Sequence, residues 1–256
     1  MQKFDPSMPN VARMYDYALG GKTHFQADRD AADEIMEKSP EAFAHARDNR
    51  EFLTRTVRWA AMCRVEQFID IGSGLPTVVN THEIAQAANE LARVAYVDND
   101  PVVVNHAEVL VKGDPKVIAL AGDLREPQEV LDNPELRKII DLDRPVAIVL
   151  VAVLHFLRHP EAYAVVNTIK QAIPPRSCLI ISHATDDDAD ADQIKTVQDA
   201  YSRTSSPLTM RTLAEVSQFF DGLELVGPVG DINAWWNPSG QTRSRIACYG
   251  GVGIKA

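Results

Sequence analysis

The chain has 256 residues, 45% of them hydrophobic and 24% charged, and carries a net charge of −10. A chain of this length and composition builds one large α/β domain, or a domain with an appendage. The acidic balance disfavours a broad surface for phosphate backbones, and no apolar run reaches the roughly 18 residues of a membrane span, so neither nucleic acid nor membrane is an expected partner.

The opening stretch MQKFDPSMPNVARMYDYALGG lacks the basic start and apolar core of a signal peptide, so a cytoplasmic location is expected. Cys63, Cys178 and Cys248 are too scattered for a disulfide framework or a zinc site, which fits a reducing compartment and predicts no metal. Residues 1–65 read as a helical extension ahead of a main domain spanning 66–256. Within it, ARMYDYALGGKTHF gathers tyrosines, Lys22, His24 and Phe25 around the helix-breaking pair Gly20-Gly21, a composition suited to covering a ligand. Further on, Arg47, Arg50, Arg55, Arg58 and Arg64 interleave with acids and read as a solvated helix face.

From Gln67 onward strands and helices alternate. QFIDI reads as a strand, THEIAQAAN as a helix and RVAYVD as the next strand; Pro101 opens a helix, its fixed φ suiting a first turn. KVIALAGD is a third strand, EPQEVLDNPELRKII is mostly helical, and RPVAIVLVAVL reads as a long central buried strand. A helix over EAYAVVNTIKQAI leads to the strand SCLIISH, followed by helices over 189–204 and 212–220. LELVGPV and SRIACYGGVGI read as two closing strands paired antiparallel. The pattern predicts a mostly parallel sheet covered on both faces, with Asp70, Asp98, Asp123, His155 and His183 brought to one rim at the strand C-termini, where such sheets bind ligands.

The first strand delivers Asp70 into the turn Gly72-Ser73-Gly74, and the second ends on Asp98. Glycines let a ligand approach the backbone, and an acid closing the next strand is placed to accept hydrogen bonds from both hydroxyls of a ribose. A nucleoside cofactor follows. A dinucleotide fingerprint asks for a third glycine where this chain has Thr77, and the Gly-Lys-Ser/Thr ending of a phosphate loop is missing. Asp70 ahead of the turn disfavours a pyrophosphate and favours a cation, which points to S-adenosylmethionine, with its ammonium and sulfonium, over NAD. Asp123 is placed to accept from the adenine amino group.

With FIDIGSGLPT, VAYVDNDPVV, AGDLREP, DLDRPVAIVLVAVLHF, ISHAT and FFDGLELV, and with ARMYDYALGGKTHFQADRDAA at the start, the chain resembles the actinobacterial S-adenosylmethionine-dependent methyltransferases long labelled a domain of unknown function. The resemblance spans nearly the whole chain. It implies a class I methyltransferase (Rossmann-like) α/β fold with a seven-stranded sheet whose last strand is antiparallel. It also implies that Asp70, Gly72 and Gly74, with Ser73 between them, surround the methionine part of the cofactor. Asp98 with its neighbour Asn99 would hold the ribose, and Asp123 with Leu124 the adenine. Ala152 joins the cofactor group, and Arg13, Tyr15, Tyr17 and Lys22 belong to the covering segment. Leu75-Pro76 departs from the wider class, where a third glycine often stands.

Methyl transfer from a sulfonium is an in-line displacement whose rate comes largely from alignment and water exclusion. His155, at the predicted end of the fourth strand, is the candidate general base; His183 and His24 are weaker ones. Trp235-Trp236 either wall an acceptor pocket or close the core. The Asp/Asn-Pro-Pro-aromatic motif of amino-methylating nucleic-acid enzymes is absent, which points to a small-molecule acceptor, with oxygen favoured. The competing readings are an NAD-type oxidoreductase, motivated by Gly72-x-Gly74 and Asp98, and a non-catalytic S-adenosylmethionine-binding protein. Neither the acceptor nor the oligomeric state is legible from the residues.

Overall fold

A computed structural model describes residues 5–38, 42–77, 79–189, 191–204, 206–236 and 246–256. Three helices come first: α1 (Val11–Ala18), α2 (Gln26–Lys38) and α3 (Ala42–Met62). The α/β alternation then runs β1 (Gln67–Ile71), α4 (Thr81–Ala88), β2 (Arg93–Asp98), α5 (Pro101–Leu110), β3 (Val117–Ala121), α6 (Pro127–Leu131), α7 (Leu136–Ile139), β4 (Ala147–Val151), α8 (His159–Ala172) and β5 (Cys178–Ala184). It closes with α9 (Ala191–Ser202), α10 (Leu213–Ser217), β6 (Glu224–Leu225), β7 (Gly230–Asp231) and β8 (Cys248–Ile254).

The strands form one sheet in the order β3-β2-β1-β4-β5-β8-β6, with β7 also paired to β8. Strands β1 to β5 are mutually parallel, whereas β8 runs antiparallel to β5, β6 and β7. The chain winds outward from β1 to β3 and returns to β4 beside β1, which puts the topological switch point between β1 and β4. Every residue of β1 is buried, because a central parallel strand faces helices on both sides. One face of the sheet packs Ile69, Ile148 and Leu150 with Leu131, Ile169 and Phe219; the other packs Phe68, Val149 and Ile180 with Phe52, Val57 and Trp235. Helix α3 is therefore part of the core rather than a detached appendage, while α1 and α2 share a smaller apolar cluster with α9.

Three local readings change. The long run RPVAIVLVAVL is a strand only over Ala147–Val151, since Ala152 takes a φ of 57° and the chain turns into a 3-10 turn at Leu154–Phe156. LELVGPV pairs only at Glu224–Leu225; Gly227 at φ 80° and Pro228 end the pairing there. Trp235 is buried, stacks on Trp236 and meets Phe52 edge-on, so it closes the core on the face carrying α3. Ser244 and Arg245, included in the last expected strand, lie outside the described residues. Among the described residues no helix is long and apolar enough to cross a membrane.

Candidate active site

The C-terminal ends of β1, β2, β3 and β4 open into a cavity of about 720 Å³, within the range of small-molecule sites. At its floor, Gly72 and Gly74 have φ of 73° and 67°, the left-handed region that glycine enters at no steric cost. A Cβ on Gly72 would stand 2.3 Å from Val153 Cγ2, so a bare backbone is required there, whereas a Cβ on Gly74 would meet nothing within 4 Å. The Gly72 N–H donates to Val97 O (2.8 Å), and the Gly74 N–H donates to Asp98 Oδ2 (3.0 Å), tying the turn to β2.

Asp98 Oδ1 accepts a second backbone N–H, from Asp100, at 3.0 Å. No basic side chain pairs with this carboxylate among the described residues, and burial pushes its pKa up to about 6 against those two N–H groups. Asp70 behaves alike: it accepts from Thr81 Oγ1 (2.6 Å), and burial pushes it up to about 6 despite that bond and the charge of Arg50. Asp123 differs. Burial raises its pKa, but a chelating Arg125 (Nη2 to Oδ2, 2.7 Å) outweighs that and holds it below the usual carboxylate value.

Asp70 and Asp98 make one contribution to the pH response of the empty protein: a carboxyl whose pKa is higher folded than unfolded binds extra protons in the native state, so their part of the stability declines as pH rises from about 4 through about 6. Buried His155 and His183, held below their ordinary value, contribute in the opposite sense. A cationic ligand relieves the penalty on the two carboxylates. S-adenosylmethionine is therefore expected to raise the Tm by more at pH 7.5 than at pH 5, as thermal shift assays would record; an equal shift at both would remove Asp70 and Asp98 from its neighbourhood.

The cavity is lined by Tyr15, Asp70, Gly72, Ser73, Gly74, Asp98, Asn99, Asp123, Leu124, Ala152 and His155 from the sequence-derived set. Arg13, Tyr17 and Lys22 are not in the lining. Arg13 is buried behind it, donating from Nε to Asp28 (2.8 Å) and from Nη2 to Met8 O (2.8 Å), with Nη1 3.7 Å from Asp100, so it ties α1 to the cap of α5. Tyr17 donates to Asp33 Oδ1 (2.9 Å), and Lys22 is exposed.

Residues the sequence reading passed over complete the wall. Asn49 and Arg50 of α3 and Tyr201 of α9 line the cavity, as do Phe156 and Met210. Arg50 donates to Thr77 Oγ1 (2.7 Å) and Arg55 to Trp235 O (2.9 Å), so neither sits on a solvated face; Arg47, Arg58 and Arg64 do. A relay runs through Asn49. The Ala152 N–H donates to Ser182 Oγ (3.0 Å), Ser182 donates to Asn49 Oδ1, Asn49 Nδ2 donates to Tyr15 Oη (3.2 Å), and Tyr15 donates to Ala46 O (2.8 Å). It joins the end of β4 to β5, α3 and α1, and burial pushes the Tyr15 hydroxyl up to about 12.

The two histidines have fixed tautomers. His183 is fully buried; its Nε2 lies 2.6 Å from Arg211 Nη1, a pure donor, so Nδ1 carries the proton and donates to Ala184 O (2.7 Å). His155 Nδ1 accepts the Ala184 N–H at 3.3 Å, so its proton is on Nε2. Burial, helped by the Arg211 charge, pulls the His155 pKa down to about 3. It is a neutral hydrogen-bond donor on the cavity wall.

The cavity suits S-adenosylmethionine on its own terms: an open glycine at the floor, and two carboxylates, Asp70 buried and Asp98 half-buried, with no ion-pair partner among the described residues, ready for hydroxyl donors and a cation. The fold recurs in human N-acetylserotonin methyltransferase in complex with that cofactor (TM-score 0.50, 12% identity, 97% of this chain and 63% of that one). It recurs also in the N-methyltransferase NodS of Bradyrhizobium japonicum (TM-score 0.51, 11% identity, 81% of this chain and 96% of that one). Similarity is far greater to a DUF574 family protein of Streptomyces avermitilis, with a TM-score of 0.94 and 36% identity over 99% of this chain and 100% of that one. A Thermobifida fusca protein assigned to the methyltransferases gives a TM-score of 0.91 and 37% identity over 97% of this chain and 96% of that one. No curated protein matches. With the S-adenosyl methyltransferase family model matching residues 1–256, the chain belongs to that family of S-adenosylmethionine-dependent enzymes.

Proposed function

We propose that the acids at the ends of β1, β2 and β3 hold the cofactor as the strand pattern suggested, and that the acceptor is a small molecule enclosed with it. In this reading Asp98, with Asn99 beside it, accepts the ribose hydroxyls. Leu124 and the Arg125-anchored Asp123 take the adenine end; Asp70, Gly72, Ser73, Gly74 and Ala152 line the methionine end. Tyr15 covers the site from α1, and Arg13 acts by positioning that helix. Tyr17 and Lys22 have no part in it, and residues 1–65 serve as a cover rather than an independent unit. When bound, the cofactor supplies an electrophilic methyl on a sulfonium; the protein's residues align the acceptor and exclude water.

The observation that carries this is Asp98: a half-buried carboxylate whose two oxygens accept the Gly74 and Asp100 N–H groups and which keeps acceptor capacity for a ligand. Nucleic acid is a poor acceptor here, because the cavity is roofed by α1, α2 and α9 and the chain carries a net charge of −10. The low pKa and Nε2–H tautomer of His155 make it an orienting donor rather than the proton acceptor expected from the sequence. Calorimetric titration with S-adenosylhomocysteine and, separately, NAD tests the cofactor assignment. Binding of the first and none of the second is expected; the reverse would overturn it.

A further inference from the structure

Arg211 is 0% exposed, and no carboxylate pairs with it among the described residues. Its Nη groups donate to Leu154 O (3.3 Å), Leu157 O (3.0 Å) and His183 Nε2 (2.6 Å), and its Nε has no hydrogen-bond partner. Its guanidinium carbon lies over the Tyr163 and Phe219 rings at 5.7 and 5.5 Å. Glu215, the acid whose field reaches it, is spent on Thr212, whose N–H and hydroxyl donate to it at 2.8 and 2.9 Å, and stands 3.6 Å from His159. A guanidinium does not lose its proton in a protein, and burying one without a counter-ion is costly unless something else offsets the charge.

That charge sits directly behind the cavity wall. The segment carrying Arg211 is pinned to the 3-10 turn of His155 by Thr209 N–H to His155 O (2.7 Å), and to β5 by Arg211 N–H to Ala184 O (3.2 Å). The tautomers described above align the donors the same way: His183 accepts from Arg211, and the Ala184 N–H donates to His155, which leaves His155 with its proton on Nε2. Other titratable groups around the histidines are Tyr163 and His159 from α8, Glu215 from α10, Tyr201 from α9 and Tyr249 of β8, paired with His183, with Arg158 and Glu161 on the cavity wall beyond the 3-10 turn. None of the described ones forms an ion pair with Arg211.

Beside this wall the cavity is apolar. Met14, Ile35, Val197 and Tyr201 form one cluster, and Phe156 and Met210 also line the space. Of the lining residues contributed by α1, α2, α9 and positions 206–210, none is charged.

We propose that the methyl acceptor is a planar apolar phenol or enol, held in this lobe as its oxyanion, with the oxygen facing His155 and its charge offset by Arg211. The inference rests on the cofactor reading above and adds the acceptor's class. The acceptor hydroxyl releases its proton to solvent on binding. Its oxygen then bonds to the methyl carbon as the carbon–sulfur bond breaks, and the bonding pair stays on sulfur, leaving a methyl ether and a neutral thioether. No side chain takes the proton: His155 on the wall and His183 buried behind it are both held neutral. Arg211 does not touch the acceptor; it acts by its charge and through His183 and the Ala184 backbone that hold His155, and is a positioning residue.

The test uses 4-nitrophenol, whose ionised form is yellow, added to protein saturated with S-adenosylhomocysteine. Its bound pKa should be about 1 or more below that in water, giving roughly tenfold more phenolate in mildly acidic buffer. His155→Gln, which keeps an amide donor, should retain this within about threefold; His155→Leu should lose it, as should Arg211→Met if that variant folds. The pH profile of the colour is a readout that a purely structural role for Arg211 would not move. Neutral probe in the site, unchanged ionisation in His155→Leu, or no probe binding to the loaded protein would each overturn the proposal. Failure to bind S-adenosylhomocysteine at all would strike the cofactor reading first and is seen separately, in the calorimetry.

Discussion

Gly72→Ala should destabilise the protein by about 2–5 kcal/mol and lower its Tm by roughly 5–15 °C. Two costs combine. At a φ of 73° an alanine pays about 1–2 kcal/mol for left-handed backbone. Its methyl would also lie 2.3 Å from Val153 Cγ2 and 2.8 Å from Val153 Cβ, and forcing a branched side chain aside in a packed site costs about 1–3 kcal/mol more. Val153 stands between Ala152 and the turn that holds His155, so the shift reaches the cavity wall and cofactor affinity should fall too. Gly74→Ala is the control: φ is 67°, but a Cβ there meets nothing within 4 Å, so only the backbone cost applies. Chemical denaturation of both variants gives the comparison. Equal losses would mean that contact with Val153 is not what demands glycine at position 72.

Asp98→Ala should weaken S-adenosylhomocysteine by about 1–3 kcal/mol, or about 5–150-fold, through loss of charge-assisted hydrogen bonds in a partly buried setting. The sign for the empty protein is opposite. Burial holds this carboxyl near pKa 6, so at pH 7.5 the ionised group costs the unliganded fold something, and removing it should leave the apo Tm unchanged or higher. Asp98→Asn should fall between, because its amide oxygen still accepts while the charge is gone. Calorimetry and thermal melts on the same samples separate the two effects. A variant that loses affinity and apo stability together would assign Asp98 a structural role in the turn instead.

The strands and the acids at their ends were legible because both are short-range features. An apolar run of about five residues bounded by glycine or proline reads as a buried strand, and a residue at or just past its C-terminal end must lie on the C-terminal rim. Hence Asp70, Asp98 and Asp123 could be placed from spacing, and the turn at Gly72 and Gly74 from residue type. The strand ends at Ala152 and Leu225 were misjudged because apolar composition continues past the point where pairing stops. What stops it is a positive φ in one case and a Gly-Pro step in the other.

The character of the site depends on contacts far apart in sequence. Ser182 meets Asn49 across 133 positions, and Arg211 meets His183 across 28 and Leu154 across 57. No periodicity encodes such pairs. An arginine in a mixed segment reads as solvated, and a histidine after a strand reads as a base, until the fold removes water from both. The rim of acids and its nucleoside ligand followed from local pattern, because strand direction alone brings those residues together. The protonation of His155, the buried charge of Arg211 with no carboxylate partner among the described residues and the apolar roof followed from packing, because desolvation is a property of the assembled structure and of no single segment.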